Sequence, residues 1–303
     1  MMNEPISPFI SIIIPVFDDA ERLALCLAAL EGQTYPGDAY EVLVVDNGSK
    51  QSPAGVVAKY PHARLLVESK PGSYAARNKA LGAARGAFLA FTDADCIPQP
   101  DWLERGVAAL KALPNFGVVA GRIDMFYVDP RRPRWVELYD AATGLDQRRS
   151  VSVNAANTAN LFTHRSVFDR VGLFDASLKS LGDVEWTLRA AAAGYPVAYG
   201  HDAVIRHPAR SHLRDMMVKR RRTIGGEQDQ KADKAELYRS TRMFRVLWQN
   251  FAPRVIHYWR LSQHERIKTR GQRCKVVAVM VLMQYVDAFE RVRKRLGGSS
   301  VRR

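Results

Sequence analysis

The chain has 303 residues, of which 47% are hydrophobic and 25% are charged, with a formal net charge of +14. This composition is typical of a globular protein and excludes wholesale disorder. The three cysteines are scattered, without zinc-ligand spacing, and cannot form a disulfide framework. Because neither a signal-peptide pattern nor a run of about 18 apolar residues is found, we expect a cytoplasmic protein.

The excess positive charge lies in the last third of the chain. Residues 201–303 contain 25 Lys and Arg against 9 Asp and Glu, whereas residues 1–200 contain 20 against 22. No helix-turn-helix, zinc or RNA-binding signature accompanies this charge. We therefore expect no nucleic-acid partner and treat the basic segment as an addition to a neutral body.

Short apolar runs alternate with helical patterns over the first 121 residues. Strands are predicted at 10–16, 41–45, 64–67, 87–91 and 117–120. Helices are predicted at 21–30, 74–84 and 102–110. This order predicts an α/β fold with a mostly parallel, Rossmann-like sheet, right-handed crossovers and helices on both faces.

The pattern weakens between residues 124 and 150 and then returns. Strands are predicted at 160–163 and 197–203, and helices at 165–171 and 184–193. Beyond residue 207 only helical patterns remain, beginning with a basic helix at 213–224. A soft boundary is therefore expected near residues 208–212.

Acidic residues follow three of the predicted strands, where ligands of parallel sheets bind. Asp18 and Asp19 follow the first strand. They are equally compatible with a ligand site and with capping the next helix. Asp46 follows the second strand, and Asp93 and Asp95 follow the fourth. Since one cap needs only one carboxylate, this pair favours a hard divalent cation that holds a diphosphate.

The basic C-terminal region combines cations, aromatic residues and an apolar stretch at 275–289 that is too short to span a bilayer. These features are typical of attachment to an anionic membrane surface. The alternative is that residues 276–283 pack against the catalytic domain or a second subunit, and the second case would make the protein an oligomer.

Several motifs in order resemble family 2 glycosyltransferases. SIIIPVF at 11–17, VVDNGS at 44–49, ARNKA at 76–80 and FTDAD at 91–95 match the nucleotide-binding half of that family, and LGDVEWTLR at 181–189 matches its acceptor side. The resemblance covers residues 8–207 and implies the GT-A fold. It implies a nucleotide-sugar-binding half at 1–121, an acceptor-side half at 122–210 and a basic helical appendage at 211–303.

The resemblance also implies roles for residues of the first half. Asp46 would accept a hydrogen bond from the nucleotide base, and Pro15 and Phe17 would line the base slot. Arg77 would contact phosphate or base, unless it is a solvated helix arginine. Asp95 would ligate Mn²⁺ or Mg²⁺, and Asp93 would lie nearer the ribose while sharing the metal site.

In the second half, Asp183 matches the family's general base, with Glu185 as the reserve candidate. Gly182 stands where the family often has a glutamate. His207 would complete the metal site or touch the diphosphate, unless it is simply a structural histidine. Arg220 and Arg222 belong to a basic run that could stabilise the departing diphosphate or form a solvated helix face.

These inferences predict an inverting, metal-dependent glycosyltransferase. It would move a sugar from a nucleoside diphosphate, with uridine favoured by the resemblance, to a hydroxyl of a cell-envelope glycan or glycolipid. We expect it at the inner face of the cytoplasmic membrane. A sugar-phosphate nucleotidyltransferase and an inactive membrane-binding adaptor with a transferase fold are the alternatives.

Overall fold

The computed structural model describes residues 7–232, 255–264, 266–296 and 298. The chain forms two compact units. Unit 1 comprises Met1–Asp124, Leu145–Ser177 and Gly182–His207, and unit 2 comprises Met125–Gly144, Leu178–Leu181 and Pro208–Arg303. The segment Met125–Gly144 was predicted to lie in the acceptor-side half. It belongs instead to the same unit as the C-terminal helices.

Unit 1 is built on a mixed sheet whose spatial order is β3-β2-β1-β4-β7-β6-β8-β5. In chain order its strands are β1 Ile10–Val16, β2 Tyr40–Asp46, β3 Ala63–Val67, β4 Phe88–Thr92, β5 Ile97–Pro98, β6 Val118–Phe126, β7 Asn160–His164 and β8 Val197–Pro208. Strands β1 to β4 pair in parallel, as expected. The α/β fold class predicted from the sequence is confirmed.

Helices connect the strands of unit 1. They are α1 Ala20–Glu31, α2 Ala54–Val57, α3 Ser73–Ala83, α4 Trp102–Lys111, α6 Gln147–Val151, α7 Arg165–Val171 and α8 Gly182–Ala192, with α5 (Trp135–Thr143) in unit 2. All seven residues of β2 are buried, and so are nearly all of β1. Burial on both faces explains why these two strands are continuous apolar runs without alternation.

The second half of the sheet departs from the predicted parallel arrangement. Strand β7 pairs antiparallel with both β4 and β6, and β5 pairs antiparallel with β8. A hydrophobic pattern indicates which residues are buried and whether they form a helix or a strand, but not the direction of the strand. The antiparallel pairing therefore could not be predicted from the sequence. The parallel description holds for β1 to β4.

A buried asparagine ties this half together. The Asn160 side chain accepts a hydrogen bond from the indole nitrogen of Trp102 at 2.9 Å and donates to the carbonyls of Arg122 and Ala203 at 2.9 Å each. Both amide N–H donors and the amide oxygen of Asn160 therefore have partners inside the fold, as a buried amide requires. Its role is to hold α4, β6, β7 and β8 in register.

Unit 2 is a helical cluster formed by α5, α9 (Leu213–Ala232), α10 (Val255–Ser262) and α11 (Arg270–Arg295). Its apolar core contains Val136, Leu138, Tyr139, Met216, Tyr258, Ile267, Val276, Val279, Met280 and Met283. The last four recur at helical spacing on α11. The 276–283 segment thus packs inside unit 2, whereas its predicted packing against the catalytic domain or a second subunit stays a prediction.

Helix α5 was absent from the sequence-based prediction because its buried face includes two acids. Glu137 accepts backbone hydrogen bonds from Val128 and Arg134. Asp140 is fully buried and ion paired with Lys219 at 3.0 Å and Arg210 at 3.2 Å. Burial alone would raise the pKa of Asp140, but these two cations outweigh it and hold the pKa below its ordinary value.

Along the described parts of the chain, no helix has both the length and the apolar character needed to cross a bilayer.

Candidate active site

The carboxyl ends of the parallel strands bring three predicted nucleotide contacts to one edge of the sheet. Val16 is paired in register with Asp46, and Pro15 with Val45. Asp46 is buried, and one carboxylate oxygen accepts the backbone N–H of Ser49 at 2.9 Å. Phe17 directly follows β1 and is partly buried. The strand ends therefore lie together, as the sequence predicted, and their contacts to a nucleotide stay a prediction.

Asn47 positions the beginning of helix α3 beside this edge. Its amide nitrogen donates to the carbonyls of Glu68 and Lys70 at 2.9 and 2.8 Å, and its oxygen accepts the N–H of Gly72 at 2.6 Å. Gly72 precedes α3 with a φ of 130°, a conformation that favours glycine. The residue after Asp46 thus orients the helix that carries Arg77.

Arg77 is buried and paired with the first aspartate of the DAD segment. Its Nη2 donates to the Asp93 carboxylate at 2.5 Å, while its Nε is buried without a hydrogen-bond partner among the described residues. The solvated-arginine alternative is therefore wrong. A buried guanidinium with one unpartnered N–H beside a carboxylate, at the sheet edge, is suited to a further anionic ligand.

Asp95 lies between the side chains of His207 and Arg22. One carboxylate oxygen is 3.6 Å from Nε2 of His207, and the other is 3.6 Å from Nη1 of Arg22. His207 is buried near the end of β8. The structure thus brings together two of the three predicted metal ligands, whereas Asp93 faces Arg77.

The donor atoms of Asp95, Cys96 and His207 all lie within 4.8 Å of one another. Mg²⁺ and Mn²⁺ favour carboxylate oxygen, with substrate phosphates and water completing the shell. Asp95 offers such an oxygen, and Nε2 of His207 lies close enough to it to serve as a nitrogen ligand of the same ion. Burial, reinforced by Asp95 and Asp93, raises the pKa of the Cys96 thiol well above its ordinary range, so that side chain stays neutral and is a poor ligand for a hard cation.

Asp183 is held by donors on both of its carboxylate oxygens. Oδ1 accepts the hydroxyl of Tyr74 at 3.1 Å and the N–H of Val184 at 3.0 Å. Oδ2 accepts the N–H of Thr158 at 3.2 Å. The carboxylate is consequently fixed in orientation at the first turn of α8. It is partly buried, which leaves part of its surface accessible to a ligand.

Tyr74 was not identified from the sequence, yet it links the two halves of the site. Its ring lies beneath the Arg77 guanidinium, 5.8 Å from carbon to centroid, and its hydroxyl bonds Asp183. Burial and the Asp183 charge raise the Tyr74 pKa, so the phenol remains a donor. The sequence contains one indication of this role. Tyr74 lies three residues before Arg77, which places both side chains on one face of helix α3.

The departure at Gly182 has a steric explanation. A Cβ at this position would lie 2.7 Å from a ring carbon of Tyr74, closer than real side-chain contacts. Any larger residue must displace the ring and, with it, the hydroxyl that bonds Asp183. A glutamate at this position is therefore incompatible with this placement of Tyr74.

The reserve base and the two arginines have partners of their own. Glu185 is ion paired with Arg189 at 2.6 Å, one helical turn along α8. Arg220 belongs to unit 2, where it pairs with Asp287, its Nε lying 2.9 Å from the carboxylate. Arg222 also lies in unit 2. The assignment of Glu185 to catalysis, and of both arginines to the diphosphate, stays a prediction.

Comparison with known proteins assigns this chain to a family. The model of glycosyl transferase family 2 matches residues 11–172. Glycosyltransferase AglE of Haloferax volcanii is 38% identical over 284 residues, which cover 91% of this chain and 91% of AglE. The chain therefore belongs to glycosyl transferase family 2, and it is a glycosyltransferase. The nucleotidyltransferase alternative is set aside.

More distant relatives and solved structures agree with this assignment. Pre-mycofactocin glycosyltransferase of Mycobacterium tuberculosis is 28% identical over 219 residues, covering 70% of this chain and 45% of that protein. Mannosyltransferase PcManGT of Pyrobaculum calidifontis, solved with GDP-Man and Mn²⁺, superposes with a TM-score of 0.64 at 19% identity, covering 98% of this chain and 92% of that one. At that identity the likeness shows the GT-A fold.

A second solved structure supports the same fold. S. aureus TarS 1-349 in complex with UDP superposes with a TM-score of 0.53 at 17% identity, covering 95% of this chain and 92% of the TarS chain. The predicted resemblance to family 2 and its fold is thus confirmed.

Proposed function

We propose that this glycosyltransferase transfers a sugar, with inversion and with the help of a divalent cation, from a nucleoside diphosphate to an acceptor hydroxyl. The observation that carries the proposal is a continuous set of contacts in unit 1. Asp93 pairs with Arg77, Arg77 lies over Tyr74, and Tyr74 donates to Asp183. A donor-side acid and an oriented acceptor-side carboxylate are thereby joined in one cluster.

In the proposed reaction, the acceptor oxygen forms a bond to the anomeric carbon as the bond from that carbon to the diphosphate breaks. Asp183 removes the proton of the attacking hydroxyl, and the bonding electrons leave with the diphosphate. Attack from the face opposite the leaving group inverts the anomeric centre. The three hydrogen bonds to Asp183 fix its orientation, which is the part of general-base catalysis that geometry supplies.

Asp95 and His207 are the residues that would hold the cation, with Asp93 nearby. A bound Mn²⁺ or Mg²⁺ supplies Lewis-acid stabilisation of the diphosphate charge. Arg77 is paired with Asp93, and its unpartnered, buried Nε–H is a further donor that a bound diphosphate could use. These groups act on the leaving group, whereas Asp183 acts on the acceptor.

The donor is proposed to be a nucleoside diphosphate sugar, with its base beside Asp46, Pro15 and Phe17. The family resemblance favours uridine, while the solved neighbours hold GDP-Man and UDP respectively. Asp46 is a hydrogen-bond acceptor when ionised and would therefore select a base that presents an N–H. The acceptor is proposed to belong to a cell-envelope glycan or glycolipid.

A thermal-shift screen with Mn²⁺ and UDP-, GDP- and dTDP-sugars tests the donor class, because ligands of the native state raise the melting temperature. We expect one nucleotide series to stabilise the protein and to be slowly hydrolysed. Asp95→Asn should abolish the dependence of this stabilisation and hydrolysis on Mn²⁺. Asp101→Asn, which changes an exposed acid of the same unit, should leave both unchanged. Absence of stabilisation and hydrolysis with every donor would instead support the inactive adaptor.

We also propose that unit 2 attaches to an anionic membrane surface. Trp259 on α10 and Phe289 on α11 are 65% and 64% exposed. Exposed aromatic side chains on cationic helices insert at the lipid headgroup level, and each nearby cation adds about 1 kcal/mol at an anionic surface. The basic charge of the chain end and these side chains together suit this partner.

Vesicle sedimentation tests this attachment. Trp259→Ser with Phe289→Ser should weaken binding to vesicles containing phosphatidylglycerol by roughly tenfold or more, since apolar burial is lost. Leu25→Ser, which replaces a 58% exposed apolar residue of unit 1, is the matched control. Equal binding by all variants, or binding that does not change with salt, would contradict the proposal.

A further inference from the structure

Unit 2 contains a cationic cavity that the proposed reaction does not use. Its volume is about 530 Å³, within the range of roughly 300 to 1,000 Å³ that ligand sites occupy. The lining residues are Met125, Tyr127, Pro130, Arg131, Pro133, Arg266, Lys268 and Gln272. Three cations and no acid line it. None of these residues belongs to the candidate active site.

The three cations lack acidic partners in the part of the chain that the structure describes. Arg131 and Lys268 are exposed, and neither side chain forms an ion pair with a described carboxylate. Arg266 is partly buried, and one of its Nη atoms donates to the carbonyl of Ala141 at 3.1 Å. That bond anchors the guanidinium against α5, and no ion pair joins it to a described acid.

Neutral donors stand beside the cations. Burial raises the pKa of Tyr127, although Arg266 opposes the shift, so its hydroxyl remains protonated at neutral pH. Gln272 contributes an amide at the first turn of α11. A cavity that offers two guanidinium groups, an ammonium and neutral donors is complementary to an oxyanion with several acceptor oxygens.

We propose that this cavity binds a phosphate group. Carboxylates would use only two acceptor oxygens, whereas a phosphate ester presents three to a set of donors on several sides. In sequence, Val128 lies within the lining segment 125–133 and Trp135 lies two residues after it, and they are 71% and 51% exposed. Apolar side chains next to a cationic cavity suit a phosphate borne by a lipid headgroup, and a soluble phosphate ester has the same anionic chemistry.

Titration calorimetry distinguishes the two sources with three probes: monomeric dioctanoyl phosphatidic acid, glycerol phosphate and inorganic phosphate. Tighter binding of the lipid than of glycerol phosphate assigns the site to a lipid phosphate. Equal binding of both esters supports the phosphate site and assigns it to a soluble ester. Failure of all three probes to bind overturns the proposal.

Charge-removal variants test whether the cavity is the site. Arg131→Gln with Lys268→Gln replaces only exposed cations, so folding should be retained, and it should weaken phosphate binding roughly tenfold or more. Adding Arg266→Gln should weaken it further. The matched control for the triple variant removes three cations of unit 2 from outside the cavity, the exposed Arg260, Arg270 and Lys275.

The control should change phosphate affinity less than twofold, because screened charges outside a site contribute little to a specific contact. Equal weakening by the cavity variant and the control would overturn the proposal in favour of non-specific attraction. Hydrolysis of the nucleotide sugar in solution should be unchanged in both variants. Failure of the cavity site and failure of the proposed transfer reaction are therefore told apart.

Discussion

Replacement of Asp183 by asparagine separates the chemistry from the binding. If Asp183 removes the acceptor proton, Asp183→Asn should lower kcat by about 10² to 10⁴, the usual contribution of a general base. At about 1.4 kcal/mol for each factor of ten, this corresponds to roughly 3 to 5 kcal/mol of activation free energy. Nucleotide and metal affinity should stay nearly unchanged, because Asp95 and His207 keep their contact.

The structure also gives the cost of this change to stability. An asparagine oxygen can still accept from Tyr74 and Val184, but its amide group then meets the N–H of Thr158. Two donors face each other there, so one buried hydrogen bond is lost at about 1 to 3 kcal/mol of unfolding free energy. The assay temperature must therefore remain well below the lowered melting temperature.

The measurement is kcat for transfer, beside calorimetric titration of the nucleoside diphosphate, for Asp183→Asn and Glu185→Gln. Glu185→Gln is the matched control because it neutralises an acid on the same helix turn, where the pair with Arg189 is partly exposed and contributes little. Normal turnover by Asp183→Asn together with an inactive Glu185→Gln would refute the assignment. Activity in both variants would locate the acceptor site elsewhere.

Three further predictions concern the metal, the close packing of Tyr74 on Gly182 and the ion pair of unit 2. Asp95→Asn should remove EDTA-sensitive transfer and weaken Mn²⁺ binding measured by calorimetry, since an amide replaces a hard anionic ligand; unchanged affinity would contradict this. Gly182→Ala should lower kcat with little change in nucleotide affinity, because the added Cβ displaces Tyr74. Asp140→Asn should cost about 3 to 5 kcal/mol in urea unfolding. Because the pKa of Asp140 lies below its ordinary value of 3.8, its pair stabilises fully above about pH 4 and is lost as the pH falls through the lowered pKa.

Elements whose burial follows a simple period were predicted closely. Strand β1 and helix α7 begin and end where the sequence indicated, since one is a continuous apolar run and the other is followed by Gly172, with a φ of 82°. Helix α5 was not predicted from the sequence, because the buried Glu137 and Asp140 interrupt the apolar pattern of its inward face. A pattern of hydrophobicity cannot anticipate acids that are satisfied by distant partners.

The sequence predicted which residues form the site, but not the hydrogen bonds and packing contacts that join them. The strand-end acids follow from chain order, because parallel strands end at one edge. The bond from Tyr74 to Asp183 joins residues 109 positions apart, and no local spacing contains that information. The close approach of the Tyr74 ring to Gly182 likewise joins residues far apart in the sequence, so no local pattern indicates it.

The composition of unit 2 has a consequence for synthesis of the chain. Helix α5 packs in one core with α11, although more than a third of the sequence separates them. On the ribosome, the apolar side chains Val136, Leu138 and Tyr139 therefore emerge long before Val279 and Met283 are available to cover them. Until α11 has been synthesised, this apolar surface stays exposed on the nascent protein and favours aggregation. Chains that terminate before α11 should accumulate in aggregates, or bound to chaperones, instead of as shortened enzymes.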